Sequence, residues 1–323
     1  MLVIAAPGQG AQTPGFLAPW LELPGVADAI GLWSDLAGCD LIKYGTTGDA
    51  DEIRDTAVAQ PLLVAAAIAA AGVLGVPGPN PLGPACTVAG HSVGELAAGA
   101  IASAISAPDA LSLVGTRGRA MAAAAAIRPT SMTAVLGGDE ARVLAAIETH
   151  GLTPANINGA GQIVAAGTVE QLAAFAADPP AGARLRPLQV AGAFHTEHMS
   201  RAVDALRAAA ASVTVRDPEL TLLSNRDGAV VTTGADWIER IITQVSAPVR
   251  WDMCMRTMTG LEVTAFIELP PAGALTGLAR RALPGVSLLA IKTPDDLDAA
   301  RALLAEHAGS HTGSADPRPA APR

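Results

Sequence analysis

A serine set between two glycines, where an apolar run hands over to helix-forming residues, constrains the fold of this 323-residue chain more than any other feature. Cys86-Thr87-Val88-Ala89 reads as a buried strand and Glu95-Leu96-Ala97-Ala98-Gly99-Ala100-Ile101 as a helix, with Gly90-His91-Ser92-Val93-Gly94 between them. A G-x-S-x-G turn from strand to helix is a nucleophile elbow, and it belongs to a sheet whose strands are followed by helices. Glycines on either side of the serine let the backbone turn sharply without a Cβ in the way. The helix N-terminus turns free N–H groups and the positive end of its dipole toward the serine oxygen, an arrangement suited to acyl transfer.

The rest of the chain alternates in the same manner. Leu2–Ala6 predicts a strand, followed by the loop Pro7-Gly8-Gln9-Gly10-Ala11-Gln12 and helical material over roughly 25–75. The Ala-rich run Leu62–Leu74 stops at Gly75, Pro77 and Pro79 and reads as a buried helix, not a membrane span. A helix is expected from Pro108 to Ala126, with proline in its tolerated first turn. The pattern then becomes strand 130–136, helix 139–150, strands 153–158 and 162–167, helix 168–177 and strand 184–190. That βαββαβ order is the ferredoxin-like unit. Beyond it come helix 198–211, strand 220–225, helical material through 236–260, strand 263–269, helix 272–282 and strand 286–292.

The expected fold is therefore α/β. A hydrolase-like, mostly parallel sheet flanked by helices forms a large lobe from 1–127 and 196–305, and a ferredoxin-like small lobe is inserted at 128–195. Residues 306–323, rich in Ser, Gly, Pro and Ala, are expected to be a disordered tail. Aromatics make up only 3% of the chain, so the core must be packed by Leu, Val, Ile and Ala. A net charge of −9 argues against a nucleic-acid binder. Three scattered cysteines, Cys39, Cys86 and Cys254, form neither a metal pattern nor a disulfide framework, which fits a cytoplasmic protein.

A serine nucleophile needs a base, and the chain has six histidines. His307 and His311 lie near or in the tail, and His150 ends a polar helix, so all three are expected in solvent. His91, on the strand side of the elbow, should point away from Ser92 and act indirectly. His195 and His198 remain. His195 is favoured, because it ends Gly192-Ala193-Phe194-His195-Thr196 where the small lobe returns to the large one. His198 falls within the next helix. No acid between elbow and base is a convincing orienter, so His195 is expected to donate its other N–H to a backbone carbonyl. The amide of Val93 and one from Gly8-Gln9-Gly10 are the natural oxyanion donors.

Arg117 bears on the substrate. In helix 108–126 it shares a face with Ala110, Val114, Met121 and Ala125, while Arg119 falls on the Ser112/Gly115/Thr116 side. An inward arginine calls for an anion. Two partners are open: an internal acid from 262–268, or a substrate carboxylate. A serine esterase would need an orienting acid and an oily acyl pocket without Arg117, and a non-catalytic acyl-binding scaffold would ordinarily have lost Ser92 or His195.

Together, Pro7-Gly8-Gln9-Gly10-Ala11-Gln12, Gly90-His91-Ser92-Val93-Gly94-Glu95, Thr116-Arg117-Gly118-Arg119 and Gly192-Ala193-Phe194-His195-Thr196 resemble the malonyl-CoA:acyl carrier protein transacylases of type II fatty-acid synthesis, from Met1 to about Leu304. The Gly-Gln-Gly-Ala-Gln variant and the high alanine content look like an actinobacterial member. The resemblance implies Ser92 as nucleophile, His195 as base, Arg117 as malonyl-carboxylate clamp, and the amides of Gln9 and Val93 as oxyanion hole. It also implies Gln60, Asn158, Phe194 and His91 as pocket residues, and the carbonyl of Arg250, in Val249-Arg250-Trp251, as the group that orients the histidine. Phe194, which resembles the residue of malonyl-selective relatives, implies malonyl over methylmalonyl. A late Gly-Pro-Gly turn of the family appears here as Leu269-Pro270-Pro271-Ala272-Gly273. The implied protein is a monomer that uses malonyl-CoA as substrate and needs no metal or redox cofactor. Its implied partner is an acidic acyl carrier protein, docked on a basic rim for which Arg184, Arg186, Arg201 and Arg280 are candidates, with no membrane or nucleic acid involved. Fatty-acid and polyketide synthesis are both open.

Overall fold

The computed structural model describes residues 1–76, 86–190 and 192–308. The chain begins with β1 (Leu2–Ala6), all five residues buried, and continues through α1 (Ala18–Leu21), α2 (Val26–Ala37), α3 (Leu41–Thr46) and α4 (Thr56–Val73). The elbow strand is β2 (Cys86–Gly90), and α5 (Gly94–Ile101) and α6 (Ala107–Ala125) follow it. Then come β3 (Thr130–Gly137), α7 (Glu140–Thr149), β4 (Thr153–Gly159), β5 (Gln162–Thr168), α8 (Val169–Ala177) and β6 (Ala183–Pro187), in the βαββαβ order expected. The chain closes with α9 (Ser200–Ala210), β7 (Thr221–Leu223), β8 (Val230–Val231), α10 (Gly234–Gln244), α11 (Trp251–Gly260), β9 (Ala265–Glu268), α12 (Ala274–Ala282), β10 (Ser287–Ala290) and α13 (Leu297–Ala308).

The fold is a mixed α/β arrangement with a parallel sheet and a separate antiparallel one. The larger sheet has the order β10-β9-β1-β2-β7-β8, parallel except where β8 turns back on β7. Strands buried on both faces read as continuous apolar runs, which is why Leu2–Ala6 shows no polar alternation. In the smaller sheet, of order β4-β5-β3-β6, every pairing is antiparallel. Its strands do alternate: Ile163 and Ala165 pack on Val143, Ile147 and Phe175 of α7 and α8, while Val164 and Ala166 face the main core. Register in the parallel sheet fixes the site. Ala6 lies beside Gly90, so the loops that leave β1 and β2 emerge side by side from the carboxyl edge.

Among the described residues one helix, α4, is long and apolar enough to cross a bilayer, with a mean hydropathy of 1.8, and 72% of that span is buried inside the protein, as the Ala-rich run predicts. Several boundaries move. The helical stretch 236–260 is two helices, because Pro248 restricts the residue before it and lacks an N–H for the helical ladder. Helix α13 runs to Ala308, so 306–308 are helical and not part of a tail. The remainder of the expected tail, with His311, lies outside the described residues.

Candidate active site

Ser92 sits at the tip of the elbow with φ +53°, in the left-handed region that a non-glycine residue enters only when its surroundings hold it there. Both glycines are sterically required. A Cβ on Gly90 would lie 2.0 Å from the Gly94 carbonyl carbon, and one on Gly94 would lie 2.3 Å from the Ala6 oxygen. Asn225, fully buried just past β7, straps the turn: its Oδ1 accepts from the Ser92 amide at 2.7 Å and its Nδ2 donates to the Gly90 carbonyl at 2.7 Å. With its Cβ held there, the Ser92 hydroxyl meets His195 Nε2 at 2.7 Å.

His195 is buried and also has positive φ, +61°. Its Nδ1 lies 2.8 Å from the Gln244 carbonyl. A carbonyl only accepts, so Nδ1 carries the proton and Nε2 presents its lone pair to the serine O–H. Burial, reinforced by the charge on Arg117, lowers the His195 pKa to about 3, which keeps the ring neutral. A backbone carbonyl as orienter matches the sequence expectation, but the residue is Gln244, not Arg250. Arg250 lies at the start of α11, where its amide donates to Asn225 O and its guanidinium grips Asp252. Its neighbour Val249 instead ties β4 to the segment between α10 and α11 by bonds with Ala155 and Ile157. Gln244 ends α10, and the last carbonyls of a helix have no intrahelical partner, so an outside donor is received there.

A cavity of about 480 Å³ opens over the serine between the carboxyl edge of the parallel sheet and the near face of β3, β4 and β5. Gln9 and Val93 both line it. At Gly8 a Cβ would stand 2.9 Å from the His91 oxygen and ring, so glycine is what lets the β1 loop close on the elbow. Ser92 N is spent on Asn225 and Gly94 N on the His91 carbonyl, and among the described residues neither Gln9 N nor Val93 N donates to a protein acceptor. Two free amides therefore flank the serine, with that of Val93 at the N-terminal end of α5.

Arg117 points inward as its helical face predicts, 1% exposed. Among the described residues two glutamine oxygens, and no protein carboxylate, accept from it. Nη1 donates to Gln60 Oε1 at 2.7 Å and Nη2 to Gln244 Oε1 at 2.9 Å, while Nε is buried without a partner. No acid from 262–268 reaches it; Glu268 instead caps α12 through the amides of Leu275 and Thr276. Burial lowers the Arg117 pKa to about 10, still cationic at neutral pH. Gln244 Nε2 also donates to the Ser92 carbonyl, so the guanidinium lies one side chain away from the nucleophile. Gln60, His91, Asn158 and Phe194 all line the cavity. His91 makes no bond to the Ser92 hydroxyl: its Nε2 meets Asn158 Oδ1 at 2.9 Å and its ring packs edge-on against Trp251.

Over residues 7–311 the chain matches the model of the acyl transferase domain. It is 53% identical over 302 residues to the malonyl CoA-acyl carrier protein transacylase of Mycobacterium tuberculosis, covering 92% of this chain and 98% of that one. It is 33% identical to its namesake in Escherichia coli K12, covering 91% and 96%. The chain belongs to the malonyl CoA-acyl carrier protein transacylases. The crystal structure of MCAT from Mycobacterium tuberculosis superposes with a TM-score of 0.89 over 93% of this chain and 99% of that one, at 53% identity. A malonyl-transacylase in complex with its type II PKS acyl-carrier protein superposes at 0.85 over 94% and 99%, at 29% identity. The higher identity to the mycobacterial transacylase fits the actinobacterial character of the motifs.

Within this transacylase fold the other histidines fall elsewhere. His198 belongs to a short 3-10 turn beside Arg128 and Glu197, apart from the serine cavity. His150 is not free in solvent: its Nδ1 bonds the Ala146 carbonyl and its ring packs on Phe175. His307 bonds Thr264 Oγ1 at 2.7 Å. Arg184, Arg186, Arg201 and Arg280, the expected rim candidates, are exposed, and Arg281 lines the cavity. Sequence reasoning missed Asn225, Gln244 and Glu95 as site residues. Pro248 was the available signal for Gln244, since it marks the end of α10.

Proposed function

We propose that this protein transfers the malonyl group of malonyl-CoA to the phosphopantetheine thiol of an acyl carrier protein through a malonyl-Ser92 ester. The 2.7 Å contact between the Ser92 hydroxyl and a neutral, carbonyl-oriented His195 carries the reading. His195 takes the serine proton as Oγ attacks the thioester carbonyl, and the amides of Gln9 and Val93 stabilise the oxyanion. On collapse the C–S bond breaks, and the imidazolium returns its proton to the departing CoA thiolate. The phosphopantetheine thiol then repeats the steps in reverse order, which makes the reaction ping-pong.

Arg117 selects the acyl group. A malonyl carboxylate exchanges for the glutamine oxygens on Nη1 and Nη2, while an acetyl group has nothing to offer them. Phe194 fills the space beside the α-carbon and favours malonyl over methylmalonyl, and Asn158 and His91 line the opposite wall. Each step runs on Ser92, His195, two amides and a guanidinium, with no call on a metal or redox cofactor. The reading includes a cytoplasmic monomer. It also includes a hydrolase-like large lobe (1–127 and 196–305) and a ferredoxin-like small lobe (128–195) that supplies one wall of the cleft, with an exposed rim near Arg281 available to an acidic carrier protein. The test is intact-protein mass spectrometry after mixing with malonyl-CoA. One malonyl group should appear on the wild type and leave on addition of holo carrier protein; a Ser92→Ala variant that still takes the label would refute the assignment.

A further inference from the structure

Glu95 is a buried carboxylate three residues past the nucleophile, 1% exposed in the first turn of α5, and the mechanism above does not use it. Its Oε1 accepts from the Asn225 amide at 2.8 Å, its Oε2 accepts from Gln244 Nε2, and the Ser224 hydroxyl also donates to it. Gln244 relays this outward. One end of its amide donates to Glu95 and to the Ser92 carbonyl, and the other accepts from Arg117. Because the carboxylate receives only donors, the glutamine amide is fixed with its oxygen toward the guanidinium.

We propose that Glu95, acting through Gln244, is the resident counter-charge of Arg117, and that a substrate carboxylate entering the clamp competes with it for that one guanidinium. This rests on the clamp reading above. Glu95 is thus a positioning residue that sets how strongly the site prefers a carboxylated acyl group. With Glu95 ionised, the arriving carboxylate places a second negative charge beside one buried cation, and with Glu95 protonated it is the sole counter-charge. Burial pushes the Glu95 pKa up to about 7, against the pull of its donors and of Arg117. The titratable groups around it are Arg117 from α6 and Cys254 from α11, whose thiol burial holds neutral; His195, on the far side of Arg117 and Gln244, is neutral throughout the range.

The experiment compares rates of Ser92 acylation by malonyl-CoA and by acetyl-CoA from pH 6 to pH 8, in the absence of carrier protein. Both donors share CoA, so their ratio cancels its ionisation. The malonyl-to-acetyl ratio should fall up to about tenfold as pH rises through 7, following the protonated fraction of Glu95. In Glu95→Gln, which removes the charge and keeps the shape, the ratio should be level with pH. A level wild-type ratio overturns the proposal, as does a slope that survives in Glu95→Gln, and the wild-type profile decides the matter even if the variant does not fold. Failure of the clamp itself looks different: Arg117→Ala would then slow both donors alike, whereas a sound clamp with an idle Glu95 gives a malonyl-selective loss and a level wild-type profile.

Discussion

On the proposed clamp reading, replacing Arg117 with alanine removes the group that distinguishes a carboxylated acyl chain from a plain one. Its two terminal nitrogens donate to Gln60 and Gln244 in the free enzyme, at 2.7 and 2.9 Å. The glutamine bonds that a malonyl carboxylate replaces are themselves donated by a cation, so each exchange gains only the difference between an ionised and a neutral acceptor, about 0.5–2 kcal/mol. Two such exchanges leave a net of about 1–4 kcal/mol for malonyl. At about 1.4 kcal/mol per tenfold, kcat/KM for malonyl-CoA should fall between about fivefold and about 10³-fold. Acetyl-CoA loses no such contact. The variant also leaves buried oxygens on Gln60 and Gln244 without donors and Glu95 without its cation, so thermal stability should drop as well. Using the ratio of the two donors, measured below the transition temperature of the variant, separates selectivity from folding. Equal losses for malonyl and acetyl would refute the carboxylate clamp.

Further expectations rest on other contacts. Because the His195 pKa is lowered to about 3, the base stays deprotonated at every pH above that, and acylation by acetyl-CoA should show no loss from imidazole protonation between pH 5 and pH 8; an inflection near 6.5 in stopped-flow acylation would contradict the buried neutral ring. Asn225→Ala leaves the Ser92 amide and the Gly90 carbonyl unsatisfied, at about 1–3 kcal/mol each, and should lower both denaturant stability and the acylation rate. Gly94→Ala drives a methyl group into the Ala6 carbonyl and should destabilise by about 1–3 kcal/mol or more by calorimetry, while an unchanged melting temperature would mean that the β1–elbow approach is looser than described. Phe194→Ser should raise the rate with methylmalonyl-CoA relative to malonyl-CoA in the same acylation assay, since the ring lines the cavity beside His195.

What the sequence determined by itself was local. The run Cys86–Gly94 carries its own backbone instructions, so the strand, the elbow and the helix after it could be placed within a residue or two. The face of α6 that carries Arg117 follows from 3.6-residue periodicity, and the βαββαβ order follows from the change between that period and a period of two. Helix boundaries marked by proline are legible too, although the helical material of 236–260 divides at Pro248 into α10 and α11. Tertiary structure alone decided the partners. The bonds from Ser92 to Asn225, from Gln244 to Ser92 and Glu95, and from Arg117 to Gln60 join residues 133, 152, 149 and 57 positions apart. Which carbonyl orients His195 depends on which helix terminus the packed sheet brings beside it, and a terminal carbonyl at Gln244 looks in sequence like any other backbone oxygen. The same holds for Glu95: in the chain it is an acid in the first turn of a helix, and only burial and the link through Gln244 bring it to bear on Arg117.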